Sequence, residues 1–545
     1  MKNIIIICVM LLLLICASCS ASNKETSDND TVSGPDTLIL DNEMTDGISD
    51  DEQPDADEEK NNLEEGPYGI LFGDTAGDFT LPLETGEWNF AKNRSQDENY
   101  IFIFYRASNS ESTAIWKSDL IKLFDNSPKN THYFFLVDGT LETFETRIAQ
   151  LKENIESSLE IAGGTEMKKR IHITTKPARE IDSWFKEWLA KYPAFFLGID
   201  RFQKIRAGGS FHSWESSSLD PRFEFIYKEA ELYNYECDLE NFLKLNKEKS
   251  TKINGLNGVK FPDEGWVKDI FFTVDIPEFS KKGKLFISLE QICESQKSCE
   301  WDRLQHLFLC DDENSDNCPA EIGRWITTYG RSGKWLTDIS MLSPLFEKPG
   351  KYKFRFTVAG DQYINYLDFI FAEDGLSEKP AAVIPLFAGT KPFDETYNDQ
   401  WEEITPQIPE SFSKILISAY ITGHGNGSEQ ANCAEFCKFE SVFYVNGTSF
   451  EIDFDNAGTS RGCFDLVKEG TVPNQYGSWP FGRAGWCPGQ DVKLITIDVT
   501  EKIKKGEPNV FSYGAFLNGK TYTPVITDPS GYRAEIPLTS YLVIY

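Results

Sequence analysis

Two short segments concentrate the residue types that hydrolytic chemistry needs. In Trp301-Asp302-Arg303 a carboxylate stands between an indole and a guanidinium, so Arg303 can hold Asp302 ionised in a partly apolar wall. In Cys433-Ala434-Glu435-Phe436-Cys437 a second carboxylate lies inside a very short cysteine loop. A disulfide across so few residues adds little global stability through chain entropy, and its use would be to fix Glu435 locally. Metal-free amide hydrolysis requires a carboxylate that orients or deprotonates water and a proton source for the leaving nitrogen. Each segment also has a plainer reading. Trp301-Asp302-Arg303 can be a strand with an exposed ion pair worth at most about 1 kcal/mol, Trp486 can be core, and residues 433–437 can be a stapled turn.

The cysteines place these segments in an oxidising compartment. Apart from Cys8, Cys16 and Cys19 there are nine, none between residues 20 and 236. Eight fall into close sequence pairs, Cys293/Cys299, Cys310/Cys318, Cys433/Cys437 and Cys463/Cys487, which are natural disulfides after export, although sequence alone does not fix connectivity. Zinc is the competing reading, but the spacings are not ligand knuckles and histidine hardly accompanies them. Cys237 is left over as a buried or free thiol. The acidic hairpin between Cys310 and Cys318 carries enough oxygen to consider calcium. It lacks the glycine and terminal glutamate of a calcium loop, so a solvated tip is expected. Copper redox chemistry needs several histidines, and residues 236–545 hold only His306 and His424. No metal and no cofactor is expected.

The elements that must position these residues are strands. From residue 259 onward, short β-prone runs (270–274, 284–289, 352–358, 366–371, 415–422, 441–445, 494–499 and 540–545) alternate with Gly, Pro, Asn and Asp, the pattern of antiparallel sandwiches. Some 300 residues exceed one sandwich, so two are expected, a first over 236–379 and a second over 380–545.

Within this region Cys293-Glu294-Ser295-Gln296-Lys297-Ser298-Cys299-Glu300-Trp301-Asp302-Arg303 is similar to the disulfide and Trp-Asp-Arg segment of the bacterial peptide:N-glycosidase F family. Glu321-Ile322-Gly323-Arg324-Trp325-Ile326-Thr327 resembles its next strand. Gly423-His424-Gly425, the Cys433–Cys437 segment, Gly462-Cys463 and Arg483-Ala484-Gly485-Trp486-Cys487-Pro488-Gly489 follow in the family's order. The resemblance covers roughly 300 residues, and ordered motifs weigh far more than a lone tripeptide. It implies two eight-stranded jelly rolls with a cleft at their interface, and hydrolysis of the amide between the innermost N-acetylglucosamine and asparagine. It implies Asp302 as principal catalytic carboxylate and Glu435 as the second. Trp301, Arg303, His424, Arg483 and Trp486 would be cleft residues meeting substrate, since indoles suit the C–H faces of a sugar and charged groups its hydroxyls. The family's further glutamate, followed two residues later by tryptophan, is missing. Val358 stands in its place, and Asp361 is the carboxylate that could reach the cleft instead. That loss leaves a silent glycan-binding protein as the alternative. The partners implied are N-glycosylated proteins or glycopeptides, met by a monomer.

Before this region, residues 67–235 alternate strand-like and helix-like runs: strands at 100–105, 132–137 and 170–174, helices at 112–124, 141–159 and 178–192. This predicts an α/β domain with parallel strand pairs. Gly73-Asp74-Thr75-Ala76-Gly77-Asp78-Phe79-Thr80-Leu81-Pro82, Tyr192-Pro193-Ala194-Phe195-Phe196-Leu197-Gly198-Ile199-Asp200 and Ala207-Gly208-Gly209 resemble the thioredoxin and peroxiredoxin superfamily. Where that group places its cysteine pair, this chain reads Ala107-Ser108-Asn109-Ser110-Glu111-Ser112-Thr113. Without a thiolate there is no thiol–disulfide exchange. Ser110 has no paired base in view, and a scaffold or substrate rim is expected. The whole is thus read as a thioredoxin-like α/β domain without redox cysteines followed by an all-β double jelly roll.

The chain's 545 residues carry a net charge of −32, which excludes electrostatic binding to nucleic acid or to an anionic membrane surface. Much of it is local. Residues 20–65 hold sixteen Asp/Glu and two Lys, a net −14, which with Lys2 leaves −19 for residues 66–545. Residues 20–66 therefore read as a solvated tether. Residues 1–19 read as a secretory signal ending in a lipoprotein-type box, with Cys19 the lipidated residue and Cys16 where a large aliphatic is usual. The expected address is the cell envelope, outer membrane or cell surface, with membrane contact only through that anchor; plain secretion is the alternative.

Overall fold

The computed structural model describes residues 62–545 except 163, 207–221, 263–264, 280–282, 295–298 and 361. The export signal, Cys19, the tether up to residue 61, the Ala207-Gly208-Gly209 turn and Asp361 lie outside the described residues. The end of the expected tether already runs against the first domain: the Asn62 side-chain amide donates to Arg94 O at 3.1 Å, and the Glu64 N–H donates to Gln203 Oε1 at 2.8 Å.

The first domain is α/β. Its five-stranded sheet has the order Ile171–Ile173, Thr131–Asp138, Asn99–Arg106, Phe196–Ile199, Ile205–Arg206; the first three strands are parallel and the last two antiparallel. Alternate residues of the central strand enter opposite cores. Ile101 and Ile103 pack with Ile148 and Leu151 of helix Leu141–Ala162, whereas Phe102 and Phe104 pack with Phe185 and Trp188. That is why the run is apolar without alternation. The helix expected over 112–124 is two helices, Ser110–Ile115 and Ile121–Asn126. Asn109 Oδ1 accepts the Ser112 N–H at 2.8 Å to start one and Asp119 Oδ1 accepts the Ile121 N–H at 3.1 Å to start the other, local bonds that compete with a continuous helix. Likewise residues 178–192 hold a 3-10 turn, Ala178–Glu180, and a helix, Phe185–Lys191.

Helix Arg222–Leu245 departs most from expectation. The boundary drawn between residues 235 and 236 falls inside it. Its sequence shows no clean amphipathic stripe because both sides are covered. Toward the first domain, Asn234 Oδ1 accepts from Asn99 Nδ2 at 2.8 Å, and Tyr233 packs so tightly on Gly198 that a Cβ there would lie 2.4 Å from its ring. Toward the β region, Glu224 pairs with Arg461 at 2.6 Å and Glu240 with Lys334 at 2.9 Å, and Phe242 meets Phe286 edge-on at 5.4 Å. Cys237 is a buried free thiol on this helix.

The rest is mostly β. Ser250–Lys260, Ile364–Gly375, Gly283–Ile292 and Gly333–Asp338 form one antiparallel sheet; Val267–Ile276, Gly350–Ala359, Leu304–Leu309 and Ala320–Ile326 form another, extended by Gln490–Asp491. They share a core in which the Phe354 and Phe369 rings are 4.8 Å apart. In the second half Ala382–Pro392, Tyr532–Ile544, Ile415–Ile421 and Ile495–Asp498 pair, with His424–Asn426 beside Tyr532–Ile544, and share a core with Thr448–Asp453, Glu440–Val445 and Phe511–Phe516. Gln490–Asp491 thus crosses the expected division at 379/380, held where Thr337 Oγ1 donates to Asp491 Oδ2 at 3.0 Å.

A buried polar cluster locks the two halves together. The fully buried Arg324 makes bonds of 2.7 and 2.8 Å to Glu321 and reaches across to Thr422 Oγ1 at 2.9 Å and Pro537 O at 3.0 Å; Thr539 Oγ1 donates to Glu321 Oε2 at 2.6 Å and His306 Nδ1 meets Glu321 Oε1 at 2.7 Å. Burial alone would raise the Glu321 carboxyl, but Arg324 and His306 outweigh it and hold it well below the usual carboxylate range. All four cysteine pairs are disulfides.

Candidate active site

Asp302 is positioned by one threonine. Strand Ala320–Ile326 runs into Thr327, whose buried hydroxyl accepts the Arg303 N–H at 2.6 Å and donates to Trp301 O at 2.8 Å, while the Thr327 N–H donates to Arg303 O at 2.9 Å. The backbone on both sides of Asp302 is therefore gripped by a single residue. Thr327→Val keeps the shape and removes both hydroxyl bonds. It is expected to cost about 1 to 3 kcal/mol in denaturant unfolding and to slow turnover at temperatures where the variant stays folded.

Glu435 comes from the second half. The Cys433–Cys437 disulfide closes its loop, the Ala484 N–H donates to Glu435 O at 2.9 Å, and the Gly423 N–H donates to Ala484 O at 2.9 Å. Gly423 is required by close approach, since a Cβ there would sit 2.2 Å from Ala434 O.

Arg483 joins the two carboxylates. Its side chain is fully buried; Nε donates to Glu435 Oε1 at 3.0 Å and Nη2 reaches Asp302 Oδ2 at 3.4 Å. Nη2 also donates to Ser478 Oγ at 3.0 Å, and Nη1 to Ser478 O at 3.1 Å and Phe481 O at 2.8 Å. The planar fork is thus held by the second half while it spans both acids. The nearly buried Tyr329 phenol adds to the pull that lowers the Asp302 carboxyl.

Burial pushes both carboxyls up. Glu435 rises to about 7, with Arg483 pulling it down and Asp302 pushing it further up. Asp302 is raised by burial against the opposing pull of Arg483, Tyr329, its own backbone N–H and Arg303. Two acids around one guanidinium titrate as a coupled pair. Arg303 and Tyr329 lower Asp302 in addition to Arg483, which favours the charge there and the proton on Glu435.

Exposed aromatic side chains lie beside Arg303. Trp301 is 50% exposed and Trp266 63%, and the Arg303 guanidinium lies 5.7 Å from the Trp301 ring centroid and 4.8 Å from that of Trp266. Tyr532, 53% exposed, has its hydroxyl bonded to Glu535.

Of the residues singled out by sequence, Asp302, Glu435, Arg483, Trp301 and Arg303 come together. Trp486 and His424 do not present faces to a ligand. Trp486 is buried behind the acids, donating Nε1–H to Gly423 O at 2.6 Å, with Arg483 4.9 Å from its centroid. His424 stacks on it at 4.8 Å, and burial, helped by Arg324, His306 and Arg483, pushes its imidazole down to about 3, so it is neutral. Both form a shelf under Arg483. Val358 is buried in the first β core, opposite Gln305 and Lys268, and brings no carboxylate to the cleft. The acidic hairpin is closed by its own bonds: Asn317 Nδ2 donates to Asp311 Oδ2 at 2.7 Å, and Lys353 pairs with Asp316 at 2.6 Å. Among the described residues no three His, Cys, Asp or Glu gather as metal ligands. Sequence reasoning missed Thr327 as a clamp, Tyr329, Ser478 and Trp266. The only signal for Tyr329 is an aromatic residue in a Thr-Thr-Tyr-Gly turn just after the Arg324 strand.

Residues 393–543 match the family model described as Peptide-N-glycosidase F, C terminal. The C-terminal region is peptide:N-glycosidase F-like. A protein of Elizabethkingia miricola, peptide-N(4)-(N-acetyl-beta-D-glucosaminyl)asparagine amidase F, is 25% identical over 250 residues, covering 42% of this chain and 66% of that protein. The chain therefore spans just under two thirds of that relative's length. A crystal structure of a peptide-N(4)-(N-acetyl-beta-D-glucosaminyl) asparagine amidase is similar with a TM-score of 0.45 and 20% identity, over 54% of this chain and 96% of that one. The glycosylasparaginase PNGase F from Flavobacterium meningosepticum gives a TM-score of 0.43 and 18% identity, over 54% and 95%. The structure of PNGF-II gives 0.43 and 15%, over 55% and 65%.

Proposed function

We propose that the chain hydrolyses the amide between the innermost N-acetylglucosamine of an N-glycan and its asparagine, on glycoproteins or glycopeptides, with Asp302 and Glu435 as its catalytic residues. The observation that carries this reading is the pair of buried carboxyls bridged by Arg483 beside an exposed indole. Asp302, ionised, orients water and takes its proton as the oxygen attacks the side-chain carbonyl carbon. Glu435, protonated, gives its proton to the nitrogen as the C–N bond breaks. Asparagine becomes aspartate and the glycan leaves as its glycosylamine. Trp301 and Trp266 supply flat apolar faces for sugar rings, and Arg303 sets their angle.

The opposed roles of the acids predict a bell-shaped pH profile for kcat/KM. Activity falls on the acid side as Asp302 gains a proton, and falls on the alkaline side from about pH 7 as Glu435 loses one. Glu435→Gln should remove the alkaline limb and slow turnover. The profile is read with a fluorescent N-glycopeptide, product being scored by mass spectrometry as aspartate with the glycan released whole.

A second reading rests on Val358: with that position buried in apolar core, the cleft receives no acid from strand Gly350–Ala359. A silent glycan-binding protein would then bind chitobiose-type glycans saturably without turnover. For the first domain we propose a thioredoxin-like scaffold without redox function, and for the β region the double jelly roll. The Ser112 hydroxyl donates to Phe104 O at 2.9 Å and accepts the Arg106 N–H at 2.7 Å, a structural use, while the Arg106 guanidinium occupies the carbonyls of Leu189, Tyr192 and Ala194 beside Pro193. Export as an envelope lipoprotein through Cys19 is likewise proposed, in keeping with four disulfides.

A further inference from the structure

We infer that helix Arg222–Leu245, through Glu229, positions Tyr329 against Asp302 and so makes the N-terminal domain part of the active site's support. The inference rests on the amidase reading for its consequence, though not for its geometry. Glu229 is fully buried, and its carboxylate reaches the β region. Its two oxygens meet the Arg331 guanidinium at 2.9 and 3.2 Å, and Oε1 accepts from Asn474 Nδ2 at 2.7 Å. Asn474 Nδ2 also donates to Phe225 O on the same helix at 2.9 Å, and Arg331 donates to Pro473 O. One carboxylate therefore ties together two loops, 328–331 and 471–478, from different halves of the β region.

These two loops carry the groups behind the acids. Gln475, next to Asn474, accepts the Tyr329 N–H on Oε1 at 2.7 Å and donates Nε2–H to Val472 O at 2.6 Å and Pro488 O at 2.7 Å. Ser478 receives Arg483, which reaches both Asp302 and Glu435, and Tyr329 is among the groups that lower the Asp302 carboxyl. An apolar contact would anchor the helix as well as a buried ion pair does, because desolvating two charges offsets much of their attraction. What the ion pair adds is direction: Arg331 two residues after Tyr329, and Asn474 one before Gln475, are each fixed by the same oxygens. Glu229 acts through Tyr329 and is a positioning residue.

The test compares two variants of the full chain. Glu229→Gln keeps the volume and removes the charge that holds Arg331 and Asn474. Glu224→Gln weakens another anchor of the helix, the 2.6 Å pair with Arg461, which touches neither Tyr329 nor Gln475. Asp302 is faced by Arg483, Tyr329, Arg303 and Glu435, and of these only Tyr329 hangs on the Glu229 loops by its own backbone. A displaced Tyr329 takes away one of the pulls that keep Asp302 down. Glu229→Gln should therefore lower kcat about tenfold to a hundredfold with little change in KM. It should also move the acid limb of kcat/KM upward, the same direction as Tyr329→Phe, with the double variant adding little. Hydrogen exchange at residues 328–331 should quicken in Glu229→Gln. Glu224→Gln should lower Tm and leave limb and exchange in place. Unchanged exchange in a folded Glu229→Gln overturns the inference, whether or not the protein turns over. So does an acid limb that Tyr329→Phe moves and Glu229→Gln does not. No conversion by the wild-type chain counts against the amidase reading instead.

Discussion

Asp302→Asn is expected to reduce glycopeptide hydrolysis by about a thousandfold or more while leaving the fold intact. The amide preserves the shape of the side chain and its oxygen still accepts from Arg483, so the loop gripped by Thr327 has no reason to move. What disappears is the carboxylate next to the exposed Trp301 that Arg483, Tyr329 and Arg303 lower. Initial rates on an N-glycopeptide, with Tm measured on the same samples, check this. A variant that retains a tenth of wild-type activity would move the role of base to another residue.

The second large effect is expected at Arg483, in stability and activity together. Arg483→Met fills similar space and leaves Glu435 and Asp302 facing each other with no cation between them. Breaking a buried pair from one side costs about 3 to 5 kcal/mol. The acids can limit that cost only by taking up a proton, because Arg483 is the chief influence lowering both carboxyls. Asp302 is then neutral at pH 7 and no longer a base. Arg483→Lys keeps a charge but has no planar fork to meet Glu435, Asp302, Ser478 and Phe481 at once, so it should recover part of the stability and little of the rate. Urea unfolding and kcat on the same two variants separate the effects.

The β-rich second region and the alternating first domain were legible because strand periodicity is local: the run at 100–105 and those at 352–358 and 415–422 are strands within a residue or two. That Asp302 and Glu435 lie together on Arg483 was legible because ordered motifs carried both. Trp486 and His424, expected to meet substrate, lie buried, a departure with one reason. A motif reports that residues are needed near a site, not which side of the backbone they occupy, and these two lie under Arg483. Helix Arg222–Leu245 was unreadable for the opposite reason, since burial on two sides erases the stripe by which a helix is recognised. Thr327, Tyr329 and Glu229 are ordinary residues in the sequence, and their roles come from contacts with residues 24, 27 and 102 positions away, Arg303, Asp302 and Arg331. Such long-range polar contacts leave no periodic trace.

The central claim is that the carboxyl pair around Arg483 activates water against the asparagine side-chain amide. The most direct measurement is to incubate the full chain with a defined N-glycopeptide in water enriched in heavy oxygen and to sequence the peptide product by mass spectrometry. The account predicts aspartate at the glycosylated position, carrying one solvent oxygen in its new carboxyl group, with the glycan released whole and Asp302→Asn silent. A product that keeps asparagine, with or without a residual N-acetylglucosamine, from a folded chain that binds the glycopeptide would contradict it.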